Sequence, residues 1–286
     1  MRKIKTALPS SRLVIRRCCE GIVKDVDLKG RLIDATVDFH HLEQQYRDLG
    51  TIQELYTLKK YIKNSSTDPL VTSKLLHSEL TKIYSNFYAY LDKPARKIYD
   101  EIKANALGEC PYCGIGNPEH LDHYLPKKYY PQFSITSLNL VPACLDCNVG
   151  SKGSDYAAEQ GNQIIHPYLD ADFYFDQQWI YAEFLDRGDD YIVVEYSVKP
   201  PIDWQPIQKE RVKTHFMSFN LKNRFSRLAA DELSILLEQI KTMEEMGMSS
   251  DTTCEVLVNP VINSNLAANN WRKVMHVAAK KYINNK

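Results

Sequence analysis

The 286-residue sequence has no uninterrupted apolar run approaching the length needed to span a membrane. Its first ten residues, Met-Arg-Lys-Ile-Lys-Thr-Ala-Leu-Pro-Ser, are basic but lack the apolar stretch of a secretory signal. A cytoplasmic protein without a membrane partner is therefore expected. No internal repeat or low-complexity block occurs, which excludes solenoid and collagen-like architectures. Net charge is also missing: 36 basic residues balance 36 acidic ones. The seven cysteines are an odd number, which argues against a disulfide framework in such a chain.

What is present is unevenly distributed. Arg2, Lys3, Lys5, Arg12, Arg16 and Arg17 crowd the start without an acid, and Arg272, Lys273, Lys280, Lys281 and Lys286 crowd the end without one. Such basic ends can offer phosphate contacts that a neutral total conceals, or can be solvated termini with no partner.

The hydrophobic pattern divides the chain into three regions. Residues 1–106 read mainly as helix, with Leu80, Ile83, Tyr84, Phe87 and Leu91 on one face and Ala95, Ile98 and Ile102 continuing beyond Pro94. Asn64 to Pro69 is a polar connector. Residues 107–170 are dense in Cys, His, Pro, Gly and Asn. Residues 171–286 open with two β-branched and aromatic runs, Trp179 to Phe184 and Tyr191 to Val198, which predict a β-hairpin across Asp186 to Asp190. Helices then return, with apolar faces at Ala229, Leu233, Leu236, Ile240 and Met243, and at Trp271, Met275, Ala278 and Tyr282.

Four cysteines form two matched pairs, Cys110-Pro-Tyr-Cys113 and Cys144-Leu-Asp-Cys147. Four thiolates satisfy the tetrahedral preference of Zn²⁺ and leave no open coordination position, so a structural ion is expected. The two pairs are separated by 30 residues, longer than a usual zinc-ribbon gap, so that gap must hold structure of its own.

Within the gap lies Leu121-Asp122-His123-Tyr124-Leu125-Pro126-Lys127. Around the second pair runs Asn139-Leu140-Val141-Pro142-Ala143-Cys144-Leu145-Asp146-Cys147-Asn148, reaching Lys152-Gly153. These segments resemble the HNH, or ββα-metal, nuclease family, whose pattern places an acid-His-x-x-Pro strand before an Asn-bearing segment with a Cys-x-x-Cys knuckle. The likeness covers about 45 residues. Asn148 stands where many members have His; Asn is also a familiar occupant of that position, in Holliday-junction-resolving and RNA-guided members.

The resemblance implies an α+β fold with a zinc-stapled ββα centre between helical arms, and hydrolysis of nucleic-acid phosphodiesters, DNA foremost. It implies that His123 is the general base, that Asp122 and Asn148 hold Mg²⁺ or Mn²⁺, and that Asn139 bonds the loop backbone and steadies His123. An imidazole suits the base because it titrates near neutrality. Asp122 and His123 are neighbours, however, and on a flat strand neighbours point to opposite faces. A bent or twisted hairpin end is therefore required.

Lys152, Lys127 and Lys128 are candidate phosphate contacts, and Tyr124, Tyr129 and Tyr130 candidate base-stacking residues or packing residues. His166-Pro167-Tyr168 followed by a Trp-bearing β region is similar to HNH proteins of retron- and Septu-type antiphage systems. That likeness implies a defence role and a companion ATPase; for His166 itself a packing role is expected. The rival readings are a non-catalytic zinc module that binds nucleic acid or protein, and an interaction protein whose centre is vestigial.

Overall fold

The computed structural model describes the chain except residues 153–155, 189–190 and 286 and the side chains of Ser151 and Lys152. It belongs to the α+β class: among the described residues there are eleven α-helices and two separate two-stranded antiparallel sheets. No described helix is long and apolar enough to cross a membrane. The chain divides into two compact units, Lys3–Asp170 and Ala171–Lys286, the latter including Met1–Arg2.

In the first unit, α1 (Ser11–Gly21) begins where the Ser10 hydroxyl accepts a hydrogen bond from the Leu13 amide, and α2 (Val26–Asp34) begins at the matching cap of Asp25 on Leu28. The long α3 (Thr36–Thr51) and α4 (His77–Ile83) follow, and then α5 (Arg96–Ala104). Val14, Ile15, Cys18, Leu32, Phe39, Leu80, Ile83, Ile98 and Ile102 from these helices share one core. That core also contains Leu121 and Leu140, one from each strand of the first sheet. Residues 1–106 and 107–170, distinct in composition, are thus joined by the same buried apolar surface.

The helical face expected from Leu80 to Leu91 ends early. After α4 the chain makes a π-helical turn, Tyr84–Tyr88, closed by the Ala89 amide on the Tyr84 carbonyl at 2.8 Å. Leu91 lies beyond it and is 73% exposed. Pro94 disfavours helix at Lys93, so the helix could not have run on into α5 without a break.

Strand β1 (His120–His123) pairs antiparallel with β2 (Leu140–Ala143), Asp122 opposite Val141 and His123 opposite Leu140. A π-helical segment, Asp146–Lys152, follows β2.

The second unit begins with the one-turn α6 (Phe173–Asp176) and the hairpin of β3 (Ile180–Asp186) and β4 (Ile192–Val198). Residues 189–190 of the expected connector lie outside the described residues. After α7 (Pro206–Ser218) comes α8 (Leu221–Glu245), whose Leu221, Phe225, Ala229, Leu233, Leu236 and Ile240 recur at helical spacing and are buried. The short α9 (Ser250–Thr253) and α10 (Asn259–Ile262) lead to α11 (Trp271–Asn284). Helices α8 and α11 pack on the hairpin.

Arg31 of α2 reaches both carboxylate oxygens of Glu79 in α4, at 2.8 and 2.6 Å, while Glu79 also accepts the Leu76 amide at 2.9 Å. The Arg31 hydrogen bonds hold the Glu79 carboxyl below its ordinary value of 4.5. A carboxyl lowered in the folded state stabilises above its unfolded pKa, and that contribution disappears as pH falls through the folded value. Glu79→Gln should cost about 1 kcal/mol at pH 7, as for a partly exposed ion pair. Denaturant titrations should find the gap from wild type closing at pH values below 4.5.

Candidate functional site

The first cysteine knuckle is a tight turn in which the Gly114 amide donates to the Cys110 carbonyl at 2.7 Å and the Cys110 amide to the Gly116 carbonyl at 2.8 Å. Gly114 has φ +71°, a conformation in which a side chain would be strained. The second knuckle leaves β2 at Cys144 and enters the π-helical segment. Together they bring the sulfurs of Cys110, Cys113, Cys144 and Cys147, all buried, within 4.8 Å of one another.

The Cys113 and Cys144 sulfurs are 3.8 Å apart, far too long for a disulfide, which needs about 2.05 Å. A tetrahedron with Zn–S bonds of about 2.3 Å has edges of about 3.8 Å. The cluster can therefore hold a structural metal such as zinc. Its chemistry favours one: hydrogen bonding to Cys110 pushes the Cys113 thiol down and the Cys147 thiol up. Four buried sulfurs cannot all ionise together unless a cation neutralises them.

A neighbouring open cleft of about 370 Å³ is lined by Asp122, His123, Asn148, His120, Lys127 and Lys128 together with Tyr84 and Tyr99, and each knuckle helps to position one residue of that lining. From the first knuckle, the fully buried Tyr112 donates its hydroxyl to Asp122 Oδ2 at 3.2 Å. Burial, reinforced by the Asp122 charge, keeps the Tyr112 hydroxyl protonated. From the second, Asn148 follows Cys147 directly and is fixed by its backbone amide, which donates a hydrogen bond to the Cys144 carbonyl at 3.0 Å. No side-chain hydrogen bond is made by Asn148 among the described residues.

His123 is 8% exposed and its Nε2 lies 2.9 Å from the Ser134 carbonyl. A carbonyl only accepts, so Nε2 carries the proton and Nδ1 is the basic nitrogen of the neutral ring. Tyr84 packs edge-on against the imidazole with centroids 4.4 Å apart, and Lys127 Nζ sits over the Tyr84 ring, 4.4 Å from its centroid. Partial burial lowers the Lys127 pKa.

Asn139 is fully buried and lies outside the cleft lining. Its Oδ1 accepts from the Leu125 amide at 2.7 Å, and its Nδ2 donates to the Leu125 and Phe133 carbonyls at 3.0 and 3.1 Å. It thereby clasps the turn that leaves β1 to the loop that ends at Ser134, the partner of His123. The Tyr46 hydroxyl donates to the same Oδ1 at 3.0 Å and lies 3.1 Å from His166 Nε2. Because the Tyr168 amide donates to His166 Nδ1 at 3.2 Å, the His166 Nε2–H donates to Tyr46. His166 is a buried link in this clasp, in keeping with the packing role expected of it.

Two of the tyrosines offered for base stacking cannot stack. Tyr124 and Tyr130 are buried, Tyr124 with its hydroxyl on the Ile164 carbonyl at 2.6 Å, because their rings fill the core beside the turn. Tyr129 is half-buried and packs on Tyr156 rather than lining the cleft. The Lys152 side chain and Gly153 lie outside the described residues. Of the basic ends, Arg17 pairs with Glu20 and Arg272 with Glu232, while Lys273 and Lys280 donate to the Ser264 carbonyl and to Asn259.

Over 289 aligned positions the sequence is 32% identical to protein ea31 of Escherichia phage lambda, and the alignment covers 96% of each chain. The chain belongs to the ea31 family. No family model and no solved structure matches it. What this ea31-family cleft can do must therefore be argued from its own side chains. Sequence reasoning missed the site roles of Tyr46, Tyr84, Tyr112 and Ser134; Tyr112 lies within the first Cys-x-x-Cys knuckle, whose pattern says nothing of its bond to Asp122, and the others lie outside the site motifs.

Removing the cluster's cation with a chelator, or replacing Cys147 by Ala, should abolish bound zinc and lower the melting temperature, because binding to such a cluster is coupled to folding. Metal analysis beside calorimetry checks both. Tyr46→Phe deletes the acceptor for His166 Nε2–H and a donor to Asn139. It should cost about 1–3 kcal/mol in chemical denaturation without loss of zinc.

Proposed function

We propose that this ea31-family protein is a metal-dependent endonuclease of the HNH type that hydrolyses phosphodiester bonds of nucleic acid, DNA foremost. The observation that supports it is the shared cleft: Asp122, His123 and Asn148 line one opening together with Lys127 and Lys128. A purely structural zinc module has no use for a buried carboxylate beside a histidine of defined tautomer, and burying such groups without a role is costly.

In this reading His123 takes a proton from water at Nδ1, the nitrogen left basic by the Ser134 contact. The ring becomes an imidazolium, and the Ser134 carbonyl stabilises its Nε2–H. The water oxygen bonds to phosphorus as the bond to the 3′ oxygen breaks. Asp122 and Asn148 offer a carboxylate and an amide oxygen, a donor set suited to Mg²⁺ or Mn²⁺, ions that keep part of their water shell. Such an ion, when bound, supplies charge neutralisation at the phosphate and the departing oxygen. Lys127 and Lys128 balance the remaining phosphate charge.

The likeness to retron- and Septu-type proteins extends the proposal to antiphage defence, with cleavage governed by a companion ATPase. Between Lys103 and Gly153 basic residues do not outnumber acidic ones, so tight unaided binding to DNA is not expected.

The test is an incubation of plasmid and RNA with the zinc-loaded protein, with Mg²⁺, Mn²⁺ or EDTA, and with and without the product of a neighbouring ATPase gene. His123→Ala should lower the cleavage rate by about 10²–10⁴-fold while zinc content stays at wild-type level. His123→Asn, closer in size, guards against loss of packing on Tyr84. Equal cleavage by variant and wild type removes the base assignment. No cleavage under any condition favours a binding module.

A further inference from the structure

His120 is not part of the acid-His-x-x-Pro pattern, yet it lines the same cleft as Asp122 and Asn148. The reason lies in the strand. Side chains two residues apart on a β-strand leave the same face, so His120 and Asp122 of β1 project together, opposite in sense to Leu121. Leu121 points into the helical core, which leaves the His120–Asp122 face toward the side where Tyr112 meets Asp122. His120 is exposed, and no hydrogen bond, ion pair or ring contact holds its imidazole among the described residues.

We propose that His120 is a third protein ligand of the divalent ion held by Asp122 and Asn148, and that its nitrogen shifts the preference of that site from Mg²⁺ to Mn²⁺, Co²⁺ and similar first-row ions. The inference rests on the reading of the cleft as a metal centre. Two residues along a strand span about 6.6 Å, so side chains at both positions can converge on one ion with bonds of about 2.0–2.2 Å. A carboxylate and an amide alone make an all-oxygen site, which suits a hard ion such as Mg²⁺. An added imidazole suits first-row transition ions, whose affinities for nitrogen rise along the series from Mn²⁺. The exposed position of His120 fits the role, since a ligand at the cleft mouth can close on an ion after it enters.

The experiment uses the full chain with its cysteine cluster loaded with one equivalent of zinc, and titrates it with Mn²⁺ and separately with Mg²⁺ by calorimetry. Electron spin echo spectra of the Mn²⁺ form report any coupled imidazole nitrogen. Wild type should bind Mn²⁺ at least about tenfold more tightly than Mg²⁺. His120→Ala should weaken Mn²⁺ by about tenfold, leave Mg²⁺ within about threefold, and remove the nitrogen coupling. His123→Ala should keep that coupling. Asp122→Ala, with Asp122→Asn as the milder variant, should weaken both ions. If His120→Ala binds Mn²⁺ as wild type does while the Asp122 variants bind poorly, His120 is no ligand and the metal centre stands without it. If neither His120 nor Asp122 affects either ion, the metal-centre reading fails together with this one.

Discussion

The structure depends on four cysteine sulfurs meeting in one buried place. Apart from a cation they would repel one another on ionising, and with one they tie together two turns that lie 30 residues apart in sequence. That tie is more than a staple. The first turn carries Tyr112, which donates to Asp122, and the second carries Asn148 directly after Cys147. Two oxygen donors of the cleft therefore inherit their positions from the sulfur cluster. In the nuclease proposed above, a ligand or base displaced by even 1 Å would lower the rate steeply. A cleft whose side chains are positioned by such a cluster, once it holds a metal, is protected from such drift.

A second constraint works from the opposite side. His123 is held by the Ser134 carbonyl, and Ser134 in turn donates its hydroxyl to the Leu80 carbonyl of α4 at 3.1 Å. Asn139 binds the loop on both sides of this contact, and Tyr46 of α3 secures Asn139. A buried amide left with unmet hydrogen bonds would cost several kcal/mol, so the fully paired Asn139 fixes one loop conformation rather than several. The helices supply the walls: Tyr84, from the π-helical turn after α4, braces the His123 ring.

Some of this was legible in the sequence because it is local. The Cys-x-x-Cys pairs, Asp122-His123 and the Asn148 that follows Cys147 are linear patterns; the four cysteines meet in one buried cluster, and Asp122, His123 and Asn148 line one cleft. The α8 and hairpin patterns were equally visible as periodicity. What could not be read is carried by distant partners or by the backbone. Tyr46 lies 93 residues from Asn139, and Ser134 acts through a carbonyl that every residue possesses. Side-chain type misleads where one type serves two ends: Tyr124 and Tyr130 have the aromatic faces that stack on bases, but here those faces fill the core. Leu91 fits a helical face by spacing and is nonetheless exposed, because spacing does not register that the helix has already ended.

The geometry also resolves how neighbours on a strand can serve one cleft. Asp122 and His123 must leave β1 on opposite sides, the first toward Tyr112 and the sulfur cluster, the second toward Tyr84 and the helices. Strand β1 ends at His123, and the chain turns at once through Leu125 under the grip of Asn139. The cleft wraps around this strand end, which is why Leu121, Asp122, His123 and Pro126 all border it. It therefore forms where two packing layers meet, a metal-type cluster on one side and a helical core on the other. Neither layer alone could hold both groups. This makes the helices before residue 107 part of the site rather than an appendage to it, and explains why Leu121 and Leu140 are buried in their core.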